Sequence, residues 1–173
     1  MQIYQPREDS YLLEKYVKKL ARGKVLDMGT GSGIQARAAL EKADNVLAVD
    51  INMDAVNNLE GFEKLTAIRS DLFENVKGKF DVIIFNAPYL PSEGEFDPAL
   101  DGGAKGFEVI ERFLTKAKDF LEKDGFMLLV FSSFTDKKKV DQLIKENGFS
   151  FELLEKIHIS FEDIYCYRLT IAF

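Results

Sequence analysis

Residues 81–89 read Asp-Val-Ile-Ile-Phe-Asn-Ala-Pro-Tyr, and this stretch decides the fold. Its apolar run is typical of a strand that is buried on both faces of a sheet. The run ends directly in a polar amide (Asn86), a proline (Pro88) and an aromatic ring (Tyr89). Because ligands of open α/β sheets bind outside the carboxyl ends of the strands, we expect this strand to present a reacting group there.

A second strand end, upstream, carries a cluster of glycines. Residues 25–33 read Val-Leu-Asp-Met-Gly-Thr-Gly-Ser-Gly, so that the glycines have the spacing G-x-G-x-G. A dinucleotide fingerprint, G-x-G-x-x-G, would place its third glycine where this chain has Ile34. The cluster therefore predicts a turn that approaches a ligand closely, with a spacing that argues against a nicotinamide dinucleotide.

Strand and helix patterns alternate along the rest of the chain, which predicts an α/β fold with a seven-stranded, mostly parallel sheet. The predicted strands are Lys24–Met28, Asn45–Asp50, Leu65–Arg69, Asp81–Phe85, Gly125–Phe131, Phe149–Ile157 and Ile164–Phe173. The predicted helices are Glu8–Leu20, Ile34–Glu41, Met53–Phe62, Phe107–Glu122 and Asp136–Asn147. The last two strands are too close in sequence for a helix between them, so they should form an antiparallel hairpin. We expect one domain over residues 1–173, with Asp9 or Ser10 capping the first helix.

The composition limits the function classes. The chain has 173 residues, of which 46% are hydrophobic, and a formal net charge of -6. This acidic balance argues against tight binding to nucleic acid, where Lys and Arg must neutralise phosphates. No apolar run approaches the ~20 residues of a membrane span, and the first residues show no signal-peptide pattern. One cysteine, Cys166, predicts a buried thiol and a cytoplasmic protein, and one histidine, His158, does not make a metal site.

Three aspartates lie at the ends of successive predicted strands, namely Asp27, Asp50 and Asp71. So much negative charge would repel a pyrophosphate but would suit a ligand with an ammonium group and an adenosine. S-adenosylmethionine has both, together with a sulfonium. Asp50 is then expected to bind the ribose hydroxyls, Asp71 the adenine amino group, and Asp27 the ammonium group.

The long segment Leu90–Gly106 follows Tyr89 and is predicted to be a functional loop over the substrate end of the site. In the helix after it, Glu108 and Glu111 are interpreted as solvated charges.

At this point the chain resembles the class I S-adenosylmethionine-dependent methyltransferases with a Rossmann-like sheet. It is more closely similar to the HemK-like release-factor glutamine methyltransferases, in their short archaeal and eukaryotic branch. Three segments carry the resemblance, the run Ile3–Leu13, the motif Asn86–Tyr89 and the run Asp101–Ile110. The family motif is Asn-Pro-Pro-Tyr, and Ala87 stands here in place of its first proline.

The resemblance implies methylation of the side-chain amide nitrogen of the glutamine in the Gly-Gly-Gln loop of a class I translation release factor. It implies that Asn86 and the Ala87 carbonyl accept the two amide hydrogens while Tyr89 packs against the amide plane. Matching positions for cofactor contact are Ser10, Asp27, Gly29, Gly31, Asp50, Asp71, Leu72 and Asn86. It also implies a heterodimer with a small zinc-binding activator that adds a strand beside Leu65–Arg69.

The residues alone leave other functions open. An Asn-x-Pro-Tyr motif also suits the exocyclic amine of adenine in DNA or RNA, flipped onto the tyrosine. A protein lysine is a further acceptor, and a non-catalytic cofactor-binding scaffold would keep the same fold.

Overall fold

The computed structural model describes residues 3–91 and 99–173. Its helices are α1 (Glu8–Leu20), α2 (Ile34–Ala39), α3 (Met53–Asn57), α4 (Glu108–Phe120) and α5 (Lys137–Glu146). Its strands are β1 (Gly23–Met28), β2 (Ala43–Asp50), β3 (Leu65–Arg69), β4 (Phe80–Asn86), β5 (Leu90–Pro91), β6 (Asp101–Gly103), β7 (Leu121–Ser132), β8 (Phe149–Ile159) and β9 (Glu162–Ile171). No helix in these two ranges is long and apolar enough to cross a membrane.

Seven strands form one sheet in the order β3-β2-β1-β4-β7-β9-β8. The first five of these are parallel, whereas β9 runs antiparallel to both β7 and β8. The predicted mostly parallel sheet with an antiparallel C-terminal hairpin is therefore confirmed. The parallel pairing brings the carboxyl ends of β1, β2, β3 and β4 to the same edge, where the predicted site residues lie.

Both faces of the central strands are buried, as the apolar run in β4 predicted. Ile83 and Phe85 belong to the core cluster that contains α4 and α5 residues, while Val82 and Ile84 belong to the cluster that contains α1 and α2 residues. Successive side chains of β4 therefore point to opposite faces of the sheet. Because helices cover both faces, all of these side chains must be apolar. The predicted burial of Cys166 is also confirmed, and burial raises the pKa of its thiol to about 12.

The structure corrects several predicted boundaries. The helix predicted over Met53–Phe62 ends at Asn57, and the chain continues in tight turns, in which the Leu59 N–H donates to the Val56 carbonyl. Two consecutive asparagines are poor helix formers, which explains the early end. Arg7, and neither Asp9 nor Ser10, is the N-cap residue of α1, but Ser10 in the first turn takes part in the cap, because its hydroxyl accepts the Arg7 backbone N–H at 3.4 Å.

The long segment after Tyr89 contains an element that the sequence did not predict. Leu90–Pro91 and Asp101–Gly103 form a small parallel two-stranded sheet, and the Leu90 N–H donates to the Leu100 carbonyl at 2.9 Å. Residues 92–98 of the predicted loop lie outside the described residues. The two described ends of the loop are thus held together beside the carboxyl end of β4.

The aromatic packing beneath the site gives a test of core stability. Phe113 of α4 is fully buried, with its ring centroid 4.5 Å from that of Phe85 and 5.4 Å from that of Phe73. Phe113→Ala should lower the free energy of unfolding by about 3–5 kcal/mol in urea denaturation. The control Phe173→Ala removes a ring that is 98% exposed and should change it by less than about 0.5 kcal/mol. Equal effects of the two variants would contradict this account of the core.

Candidate active site

A cleft of about 310 Å³ lies at the carboxyl ends of β1 to β4. The structure brings all eight residues of the predicted cofactor set to its walls, namely Ser10, Asp27, Gly29, Gly31, Asp50, Asp71, Leu72 and Asn86. Ala87 and Tyr89 line a smaller cavity of about 30 Å³ that shares Asn86 with the cleft. The predicted catalytic and cofactor positions are therefore neighbours.

Asp27 at the end of β1 is buried, with 1% of its surface exposed. One carboxylate oxygen accepts a hydrogen bond of 2.6 Å from the Thr30 hydroxyl. Burial raises the pKa of Asp27 to about 7, although hydrogen bonds from Thr30 and from the backbone of Ala36 act in the opposite direction. A carboxyl with this pKa changes its charge near neutrality and gains from a cationic partner.

Asp50 at the end of β2 holds the glycine turn. Its two oxygens accept the backbone N–H groups of Gly31 and Asn52, each at 2.8 Å. Gly31 has a φ of 53°, a conformation that favours glycine. Each carboxylate oxygen can accept a second hydrogen bond, so Asp50 can still receive a pair of vicinal hydroxyls.

The end of β3 carries Asp71 and Leu72. The Asp71 carboxylate accepts a hydrogen bond of 2.9 Å from the guanidinium of Arg112 on α4, an ion pair that the sequence did not predict. Leu72 has a φ of 47°, and the Ser70 hydroxyl donates to its carbonyl at 2.7 Å. A strained non-glycine residue in a cleft wall costs about 1–3 kcal/mol and is typical of ligand-binding positions.

Gln35 at the start of α2 is a wall residue that sequence reasoning missed. Its side-chain Nε2 donates to the Ser10 carbonyl at 2.8 Å. Its Oε1 is buried and has no hydrogen-bond partner among the described residues. An unpaired buried oxygen on the cleft wall, close in sequence to the glycine turn, provides an acceptor for a ligand.

Asn86 at the end of β4 is held by a buried carboxylate. Its Nδ2 donates to Asp9 at 3.2 Å, and Asp9, which is 4% exposed, also accepts from the Tyr4 hydroxyl and from the backbone N–H of Ser10. Burial is the largest cause that raises the pKa of the Tyr4 hydroxyl above its usual range, and the negative charge of Asp9 raises it further. The hydroxyl therefore keeps its proton and stays a donor. A carboxylate only accepts hydrogen bonds, so it fixes which end of the Asn86 amide faces it.

The other end of that amide is left without a partner. Asn86 Oδ1 is buried and accepts no hydrogen bond from the described residues. An unsatisfied buried acceptor costs about 1–3 kcal/mol. Asn86 lines both cavities, so a ligand N–H that reached this oxygen would satisfy it.

The two motif residues after Asn86 are tied to neighbouring strands and loops. The Ala87 N–H donates to the Val130 carbonyl of β7 at 3.2 Å. A proline has no N–H, so alanine replaces the φ restraint of the ring with a hydrogen bond that continues the sheet ladder. The buried Thr135 hydroxyl lies 3.0 Å from the Tyr89 carbonyl and 3.3 Å from the Gly106 carbonyl, which joins the motif to the following loop.

The Gly102-Gly103 pair is explained by close backbone approach. A Cβ on Gly102 would lie 2.2 Å from the Gly106 carbonyl oxygen and 2.8 Å from that of Pro88. Glu108, interpreted from sequence as a solvated charge, accepts the backbone N–H groups of Lys105 and Phe107. The interpretation of Glu108 is therefore wrong, since the side chain organises this loop.

The site residues that the sequence did not assign are Tyr4, Asp9, Gln35, Arg112 and Thr135. Gln35 carried a signal, since it is a polar residue in the small apolar run Ile34–Ala39. Asp9 and Thr135 carried none, because short polar residues at a helix start or in a turn are ordinary. Only the packing of α1 against the sheet makes Asp9 a neighbour of Asn86.

Comparison with known proteins agrees with this geometry. Residues 8–156 match the family described as the methyltransferase small domain. The chain is 38% identical to a protein of Methanocaldococcus jannaschii named as a protein N5-glutamine methyltransferase, over 94% of this chain and 89% of that one. It is 29% identical to the release factor glutamine methyltransferase of Agrobacterium fabrum over 80% of this chain, and spans 54% of that protein.

A solved structure contains a chain that is similar to this one over almost the whole length of both. The structure is that of the E. cuniculi Mtq2–Trm112 complex, described as responsible for methylation of the eRF1 translation termination factor. The matched chain is 28% identical, with a TM-score of 0.84, covering 99% of this chain and 100% of that chain.

The close approach at Gly102 makes a testable prediction. In Gly102→Ala the added Cβ would clash with two backbone carbonyls, so the substitution should lower the free energy of unfolding, measured in urea, by about 3 kcal/mol, the upper end of the usual cost of overpacking. The control is Gly78→Ala, where φ is 84° but nothing lies within 4 Å of the added Cβ. There only left-handed strain opposes the change, at a cost of about 1–2 kcal/mol. A Gly102→Ala protein as stable as the wild type would contradict the close packing of this loop.

Proposed function

The chain belongs to the methyltransferase small domain family and is an S-adenosylmethionine-dependent N-methyltransferase, and from this premise we propose its acceptor. The acceptor is the side-chain amide nitrogen of the glutamine in the Gly-Gly-Gln loop of a class I translation release factor. The observation that carries the proposal is the buried Asn86 Oδ1, which no residue in the described part of the chain pairs with, on a side chain whose other end is fixed by Asp9.

The cleft has the groups that S-adenosylmethionine needs. Asp50 binds the ribose hydroxyls, and the end of β3 at Asp71 and Leu72 binds the adenine. Asp27 and the unpaired Gln35 Oε1 receive the ammonium group. When bound, the cofactor supplies an electrophilic methyl group on its sulfonium.

The described residues act on the acceptor mainly by positioning. A glutamine amide nitrogen has two hydrogens and a delocalised lone pair, so it reacts slowly unless it is oriented. Asn86 Oδ1 accepts a hydrogen bond from one N–H and the Ala87 carbonyl from the other. These two acceptors orient the nitrogen and stabilise the positive charge that develops on it as it attacks. Tyr89 packs against the amide plane and excludes water, and burial raises the pKa of its hydroxyl, so it stays neutral.

Glutamine fits this arrangement better than the alternatives. A lysine ammonium must first lose a proton, and the nearby carboxylate, Asp9, already accepts from Tyr4, Ser10 and Asn86. An adenine amine also offers two hydrogens, but the net charge of -6 opposes a polyanion. The names of the similar proteins of M. jannaschii and A. fabrum support a glutamine acceptor.

We propose that a small zinc-binding activator pairs with the chain at β3. This strand is at the edge of the sheet, and an open edge accepts a further strand through its backbone. The connection between β2 and β3 also exposes three apolar side chains, Ile51, Met53 and Phe62, at 37%, 49% and 40%. The Mtq2–Trm112 complex supports a partner of this kind.

The acceptor is tested by transfer from labelled S-adenosylmethionine to a purified class I release factor, with and without the activator, followed by mass mapping. We expect one methyl group on the glutamine of the Gly-Gly-Gln loop. An adenine oligonucleotide and a lysine-rich protein serve as competing acceptors. Transfer to either of these, with none to the glutamine, would overturn the proposal.

Asn86→Ala tests the orientation of the acceptor amide. Loss of the oxygen should lower kcat by about 10²- to 10³-fold, the usual effect of removing one preorganised transition-state contact. Cofactor binding, measured by calorimetry, should weaken but remain measurable. The matched control is Asn45→Ala, an exposed asparagine at the opposite end of β2, which should leave kcat unchanged. Normal turnover of the Asn86→Ala protein would contradict the mechanism.

The raised pKa of Asp27 predicts a pH dependence with opposite signs for binding and stability. A pKa of about 7 makes the carboxylate fraction, and with it cofactor affinity, rise about fivefold from pH 6 to pH 7. In the free protein the raised pKa means that the folded state binds the Asp27 proton more tightly than the unfolded state does. The folding stability that this protonated carboxyl contributes is therefore lost as the pH rises from about 4 to about 7.

Asp27→Asn should remove both dependences, as measured by calorimetry and by urea denaturation at pH 5, 6 and 7. The asparagine can still contact Thr30, so the variant should fold. An unchanged pH dependence of binding in this variant would assign the titration to another group.

A further inference from the structure

A groove of about 240 Å³ adjoins the active site, and Tyr4 lines both this groove and the cofactor cleft. It shares three residues, Tyr4, Asp9 and Tyr89, with the small cavity at Asn86. Its outer part is built from Phe134, after β7, and from the β8–β9 turn. The cavity at Asn86 therefore shares wall residues with both the cofactor cleft and this groove.

Two phenylalanines at the outer part of the groove are exposed. Phe161, in the β8–β9 turn, is 93% exposed, and Phe134 is 48% exposed. Exposed aromatic rings that line a groove mark interaction surfaces, and buried aromatic anchors carry much of the binding energy of protein interfaces.

The turn that carries Phe161 is held firmly. Ser160 and Phe161 alone connect paired Ile159 and Glu162, and Ser160 has a φ of 50°, a value that favours glycine. The Ser133 backbone N–H donates to the Asp163 carbonyl at 2.8 Å, and the Asp163 N–H donates to the Ser133 hydroxyl at 2.9 Å. The Ser132 hydroxyl also donates to the Glu162 carboxylate. These contacts fix the turn to the carboxyl end of β7, so the Phe161 ring is presented on a rigid support.

We propose that this groove binds the polypeptide segment that flanks the acceptor glutamine of the substrate protein. The inference rests on the proposed function and adds the surface that selects the substrate. The cavity at Asn86, at about 30 Å³, has room only for the end of a side chain. The backbone that carries the glutamine must then stay outside, at Tyr89, where the groove begins.

The groove also defines the chemistry of that segment. Phe134 and Phe161 receive an apolar side chain. The described residues of its walls include three acidic side chains, Glu8, Asp9 and Glu162, against one cation, Arg7, so a basic residue beside the apolar one is favoured. The net charge of -6 acts in the same direction at longer range.

Single and double substitutions, Phe134→Ala and Phe161→Ala, test the groove without touching the catalytic residues. The matched control is Leu153→Ala, because Leu153 lies on β8 of the same hairpin and is 49% exposed but does not line the groove. Methylation kinetics are measured with a purified class I release factor and with a free Gly-Gly-Gln tripeptide, and S-adenosylmethionine binding is measured by calorimetry.

The double variant should raise KM for the release factor by about tenfold or more, with kcat at saturation and cofactor Kd within about twofold of the wild type. Tripeptide kinetics should not change, because the tripeptide does not reach the groove. A KM equal to that of the Leu153→Ala control, or a loss confined to kcat or cofactor binding, would overturn the groove assignment. Absence of glutamine methylation by the wild type would instead overturn the proposed function, and the groove assignment with it.

Discussion

The buried carboxylate of Asp9 is the contact on which the rest of the site depends. It joins the first turn of α1 to the end of β4 through its hydrogen bond with Asn86, a residue 77 positions away in sequence. Its other donors, Tyr4 and Ser10, bring the amino-terminal segment to the same point. Because a carboxylate only accepts hydrogen bonds, this one contact sets the direction of the Asn86 amide and leaves its oxygen available.

Among the residues that the structure describes, two buried acceptors of the site have no hydrogen-bond partner, Gln35 Oε1 in the cofactor region and Asn86 Oδ1 in the acceptor region. Each lowers the stability of the free protein, and each gains a partner when a ligand N–H arrives. Such preorganised groups favour a transition state because they need little rearrangement during the reaction.

The exposed apolar residues also fall into two groups, one for each proposed partner. Those around β3 lie at an open sheet edge, and those at Phe134 and Phe161 lie beside the acceptor region.

Most of the fold could be predicted from the sequence, because alternation and continuous apolar runs identify a parallel sheet buried on both faces. The strand ends at Asp27, Asp50, Asp71 and Asn86 followed from the same pattern, since parallel strands bring their carboxyl ends together. The short parallel pair after Tyr89 was missed because Leu90–Pro91 is too short to show a period. The early end of α3 was missed because the apolar residues beyond Asn57 were given more weight than the low helix propensity of the two asparagines.

The partners of the site residues could not be predicted, because they are set by packing between distant elements. Arg112 meets Asp71 only when α4 lies against the end of β3, and Thr135 meets Tyr89 only after β7 has returned to the same edge. Ala87 shows the same limit. The sequence shows only that the φ restraint of a proline is absent, whereas the fold supplies a hydrogen bond from the Ala87 N–H to the Val130 carbonyl.

The most direct test of the central claim compares Asp9→Asn with Asp9→Ala. The asparagine retains an oxygen that can hold the Asn86 amide, whereas the alanine removes it. With a class I release factor as acceptor, kcat of the alanine variant should fall by about 10²-fold, since small misplacements of a positioning group have effects of this size. The asparagine variant should recover most of that loss, and cofactor Kd should change little in either. An alanine variant with the kcat of the wild type would contradict the claim that Asp9 orients Asn86 for catalysis.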